Sequence, residues 1–131
     1  MELHFKIIGY LLLVLATVHI IFPRYFNWTV ELRSLSLVNR QMVYVHTFFI
    51  ALVLLLMGLL CITSTKELIS TSLGKKISFG LGIFWIARLF IQFFGYSCEL
   101  WKGKKFETAV HIIFSLLWTY FSILFLIAFW D

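Results

Sequence analysis

Arg88 stands inside the apolar run FGLGIFWIARLFIQFFGYS, residues 79–97, with Gln92 one helical turn further on. Placing a guanidinium in hydrocarbon costs at least ~2.5 kcal/mol on insertion scales, so a charge there needs a partner or a task. Three histidines, His19, His46 and His111, fall in three other apolar runs, and Glu107 opens the run that holds His111. Ionisable side chains inside segments of this length are functional candidates by default.

The first chemistry they suggest is a metal centre. Imidazoles from neighbouring helices converge on zinc, copper or iron, and two histidines on facing helices would supply the axial ligands of haem b. On that reading His46 and His111 bind the cofactor and His19 joins them as a third metal ligand. Arg24, Arg40 or Lys105 would hold the propionates near the surface, and Glu107 or Gln92 would support the centre. The protein would then be a small redox or metal-dependent membrane subunit.

The second chemistry is a metal-free site for a small amphiphilic substrate, such as a quinone or an anionic lipid. Arg88 would meet a carbonyl, carboxylate or phosphate, His46 or His111 would act as acid/base, and Gln92 would orient. Arg88, Gln92 and Glu107 are thus the candidate catalytic residues. No GxSxG motif is present, which leaves only Ser115 or Ser97 for an acyl-transfer role. The third reading is a proton or ion relay through Arg88, Glu107 and the histidines, or a scaffold subunit. A relay this small would work as a homo-oligomer, with Gly80, Gly82 and Gly95 permitting close helix contact. A structural role stands beside each of these: Arg88 would clamp Glu99 or a carbonyl, and each histidine would be a hydrogen-bonded interfacial residue.

These side chains need carriers, and the composition says which. The chain has 131 residues, of which 62% are hydrophobic and 13% charged, far from the roughly 25% charge of soluble domains. Its apolar runs suit a hydrocarbon core of ~30 Å, and they do not alternate as barrel strands would. The expected fold is an all-α integral membrane protein, a single domain over 1–131 built as a four-transmembrane-helix bundle. Spans are expected at about 5–22, 40–63, 77–98 and 106–130, with an interfacial connection at 24–39. Pro23 should stop the first span, since it has no N–H to donate, and Ser36 should cap the second. Trp28, Leu32 and Leu35 share a face in the connection, and Tyr25, Trp28, Trp101 and Trp130 sit where aromatic belts sit.

Helical spacing then groups the polar residues. Arg88, Gln92, Tyr96 and Glu99 make one stripe, and Glu107, His111, Ser115, Trp118 and Ser122 make another. Counted along helices at 1.5 Å per residue, His46, His111 and Gln92 each lie about 9–10 Å inside one surface and His19 roughly 6 Å inside it. Polar stripes should turn inward, because lipid cannot satisfy them.

The net charge is +5, which suits a bilayer with anionic headgroups; no soluble basic face exists for nucleic acid. Arg24, Arg33, Arg40, Lys102, Lys104 and Lys105 fall on one side of the expected bundle, against Lys6, Lys66, Lys75 and Lys76 on the other. The positive-inside rule places the first side in the cytoplasm and the termini on the non-cytoplasmic face of an inner or plasma membrane. Cys61 and Cys98 form no CxxC and read as small buried hydrophobes.

Overall fold

The computed structural model describes residues 1–96, 98–100 and 102–130, with Cys98 described by its backbone. Ser97, Trp101 and Asp131 lie outside the described residues, and with them the Ser97 nucleophile and the Trp101 belt position. All elements among the described residues are helical: α1 (Glu2–Tyr25), α2 (Trp28–Glu31), α3 (Leu37–Thr63), α4 (Thr65–Ser70), α5 (Ser72–Phe94), a 3-10 turn (Cys98–Leu100) and α6 (Lys105–Trp130). Four of them, α1, α3, α5 and α6, are long and apolar enough to cross a membrane.

The boundaries follow capping chemistry more closely than hydropathy. α1 runs through Pro23 to Tyr25 instead of stopping at it. Proline removes one ladder bond near a helix end, and Phe26 N–H restores the pattern by donating to Phe22 O at 2.9 Å. The turn-off comes at Asn27, held left-handed at φ 54°, a conformation asparagine tolerates better than most side chains. Ser36 caps α3 as expected, its oxygen accepting from Asn39 N–H at 3.3 Å. α5 begins at Ser72, earlier than hydropathy implied, because Thr71 Oγ1 accepts from Gly74 N–H at 2.9 Å.

Chain contacts gather into two compact units, residues 3–65 and residues 66–131 with Met1 and Glu2. Within 3–65, α1 and α3 approach each other closely at a pair of glycines. A Cβ on Gly58 would stand 2.8 Å from Gly9 O, and one on Gly9 would stand 2.9 Å from Gly58 O. Both glycines lie on the buried stripes of their helices, Phe5–Ile8–Leu12–Leu15 on α1 and Leu54–Met57–Cys61 on α3. Trp28 meets Tyr44 edge-on, with centroids 5.5 Å apart.

Within 66–131, α4 folds back against the start of α5. A Cβ on Gly74 would fall 1.8 Å from Glu67 O, so only glycine admits the Glu67 backbone there. Ser78 Oγ adds a bond to Leu68 O at 3.2 Å. α5 and α6 then pack antiparallel. Going up α5 and down α6, Phe79 meets Phe129, Gly82 lies against Leu126, Trp85 meets Phe121 and Trp118, and Gln92 meets His111. The fully buried rings of Trp85, Phe121 and Phe125 form the centre of this interface.

Candidate functional site

The polar stripes of α5 and α6 meet around Gln92, which is only 6% exposed. Its Oε1 accepts from Arg88 Nη1 at 3.2 Å and from Trp118 Nε1 at 3.4 Å. Both partners are obligate donors, so the amide orientation is fixed and Nε2 must face the other way. Nε2 lies 2.8 Å from His111 Nδ1 and can only donate, which puts the ring proton of a neutral His111 on Nε2. Four side chains from two helices therefore form one network with a defined hydrogen-bond polarity.

Rings build the walls. Trp118 stacks on Trp85 at 4.9 Å and 17°, and on Phe114 at 5.4 Å and 13°. Phe93 meets His111 edge-on at 5.7 Å. The Arg88 guanidinium lies 5.2 Å over the Trp118 ring and 5.6 Å over Tyr96, contacts worth roughly 0.5–2 kcal/mol each depending on desolvation. Trp85 Nε1 is a buried donor with no acceptor among the described residues.

Arg88 carries the electrostatics of the site. A guanidinium stays charged in any protein environment, and Arg88 is half-buried. Its partners among the described residues are one amide oxygen and two ring faces, with no carboxylate. Helical side chains ordinarily lean toward the helix N-terminus. Arg88 instead reaches C-terminally, to Gln92 and Tyr96. That is the direction in which a long cationic side chain seeks the nearer end of a span.

The remaining expected residues are distributed as follows. His19 and His46 belong to 3–65, with His19 half-buried and His46 exposed. His19 Nδ1 donates to Leu15 O at 2.8 Å, and the ring packs on Phe22 at 4.6 Å. Arg24 is exposed and Arg40 half-buried. Glu107 is exposed in the first turn of α6, where a carboxylate complements the helix dipole. Among the described residues, no three His, Cys, Asp or Glu side chains are grouped to hold a metal ion. Ser115 and Ser122 are buried on the α6 stripe, but their hydroxyls bond back to His111 O at 2.8 Å and Trp118 O at 2.7 Å.

The stripe ending at Glu99 is shorter than spacing implied, because α5 ends at Phe94 and Glu99 lies in the 3-10 turn. Gln92 is thus two residues from its helix end, about 3 Å of rise, and Arg88 six residues, about 9 Å. Trp85 escaped sequence reading, although its position one turn before Arg88 was the available signal.

Comparison with family models, curated proteins and solved structures returned no match. The fold defines an all-helical chain with four helices fit to span a membrane, and the functional reading rests on the site itself.

Proposed function

We propose that the chain is a multi-pass membrane protein, its four long helices forming a bundle, that binds the polar head of an amphiphilic molecule at Arg88. The observation carrying this reading is a half-buried guanidinium with no carboxylate counter-ion among the described residues. In a low-dielectric setting such a cation favours an oxygen acceptor, and charge-assisted bonds to it are the strong kind. Gln92 and Trp118 hold the guanidinium in place, which lowers the ordering cost of binding. The apolar rings on either side suit a hydrocarbon tail.

The test uses the full chain in maltoside micelles, with oleate, decylubiquinone and lysophosphatidate as probes. Binding is followed by native mass spectrometry and by the shift in melting temperature. At least one probe should stabilise the wild type and do so less in Arg88→Gln. Gln92→Glu should also weaken the effect while keeping the fold, because the new carboxylate neutralises Arg88 from within. Undiminished binding by both variants would refute the reading.

A haem or transition-metal centre is the second reading, and one observation favours it. His19 donates from Nδ1 to a carbonyl, which leaves Nε2 bare in the tautomer that metal-ligating histidines adopt. A Soret band or stoichiometric zinc, copper or iron in the purified protein, lost in His19→Ala, would establish it. A colourless, metal-free preparation that binds an amphiphile would exclude it.

A further inference from the structure

Resting on the Arg88 reading, the geometry points to a particular class of ligand, and we propose that it is an acyl-ester glycerophospholipid recognised at two levels. Lys102, Lys104 and Lys105 take its phosphate, and Arg88 takes its ester carbonyl.

α5 has 23 residues, about 34 Å at 1.5 Å per residue, slightly more than a hydrocarbon core of ~30 Å. Centred on that core, α5 emerges by about 2 Å at each end, so the Arg88 backbone lies about 7 Å inside the boundary. Its side chain reaches toward that boundary, through Gln92 to the face of Tyr96. A long arginine side chain spans a comparable distance, so the guanidinium stands near the edge of the hydrocarbon, where ester carbonyls lie in a bilayer leaflet.

The lysines lie beyond it at the same end of the helix pair. Lys102 and Lys104 belong to the connection from α5 to α6, and Lys105 is the first residue of α6. All three are exposed. Gly103 between them is left-handed, at φ 77°, a conformation glycine adopts without strain. Cations placed outside the span face the level of lipid phosphates. The order from the surface inward is then three flexible ammonium groups followed by one guanidinium held against rings. A phosphoacylglycerol presents its groups in the same order, phosphate outermost and ester carbonyls beneath. A fatty acid offers one charged group at one level, and a quinone offers no anion to the outer level.

The experiment compares four probes on the purified full chain in maltoside micelles. These are oleoyl lysophosphatidate, its alkyl-ether analogue without the carbonyl, monoolein without the phosphate, and oleate. Wild type should bind the ester at least about tenfold more tightly than the ether, as expected for one charge-assisted bond. Arg88→Gln should erase that preference and leave binding of the ether analogue unchanged. The triple variant Lys102→Gln, Lys104→Gln, Lys105→Gln should weaken both phosphate ligands at least about tenfold, leave monoolein unchanged and keep the ester preference.

If Arg88→Gln weakens ester and ether equally, Arg88 reads the phosphate itself. The two-level proposal then fails while the amphiphile reading stands. Tight binding of oleate with no response to the lysine variant also overturns it in favour of a single-level carboxylate site. Should Arg88→Gln alter the binding of no probe, both readings fall together. Far-ultraviolet circular dichroism and the melting temperature of each variant separate loss of binding from loss of fold.

Discussion

Replacing Gln92 by leucine should be among the most disruptive single changes in the α5–α6 pair. It conserves approximate size at a site 6% exposed, so little of the effect can come from a cavity. What it deletes is the hub of three hydrogen bonds: 2.8 Å to His111, 3.2 Å to Arg88 and 3.4 Å to Trp118. Side-chain bonds between membrane helices average about 0.6 kcal/mol, which gives about 2 kcal/mol for three. Two features raise the figure. One donor is charged, and the groups left behind would be partly buried without partners, each at a cost of about 1–3 kcal/mol. The expected loss is therefore about 2–4 kcal/mol, below the plain sum because Arg88 can turn outward and re-solvate. Unfolding in mixed micelles of maltoside and dodecyl sulfate, read by tryptophan fluorescence, measures it. Gln92→Glu is the informative partner. Its carboxylate accepts from Arg88 and Trp118, and the His111 ring can shift its proton to Nδ1 to donate. That variant should lie within about 1 kcal/mol of wild type. A stable leucine variant beside an unstable glutamate variant would refute the network as drawn.

Other substitutions test separate parts of the structure. Gly74→Ala places a methyl 1.8 Å from Glu67 O, a backbone atom. It should destabilise by about 3 kcal/mol and raise amide exchange across α4, measurable by mass spectrometry. Asn27→Gly should leave the melting temperature within a degree or two, while Asn27→Val should cost about 1–2 kcal/mol at φ 54°. Trp85→Phe removes ring area but also a buried donor without an acceptor among the described residues. The two effects oppose each other, so a change of no more than about 1 kcal/mol is expected in the same unfolding assay.

Much of this architecture could be read before any coordinates. Length and hydropathy located all four long helices because nothing else explains such runs. Periodicity placed Arg88 with Gln92 on one face, and His111 with Trp118 on another, because those positions recur at helical spacing. The helix ends were less legible. Pro23 looked like a stop, yet one missing N–H near a terminus is a small loss, and Asn27 does the stopping. α4 falls between the expected spans 40–63 and 77–98, where hydropathy marks no helix, and its register depends on a backbone-to-glycine approach at Gly74. The depth of ~9–10 Å expected for Gln92 needs a helix running on to about residue 98, and α5 ends at Phe94 instead. Which nitrogen of His111 carries the proton could not come from spacing at all. It follows from two obligate donors fixing the Gln92 amide, a constraint that exists only once α5 and α6 are in contact.

The pairing of Gln92 with His111 and Trp118 also bears on how the chain is made. α5 is the least apolar of the four long helices, and it carries Arg88 and Gln92 on one stripe. On the membrane reading, α5 emerging alone from a translocon would present that stripe to lipid without the His111 acceptor for Gln92 and the Trp118 ring beneath Arg88. Those groups arrive one helix later, on α6. Synthesis of this half should therefore proceed as a hairpin, with α5 held at the protein-lined exit until α6 emerges and both partition together. On that reading α6 acts as the insertion chaperone of α5.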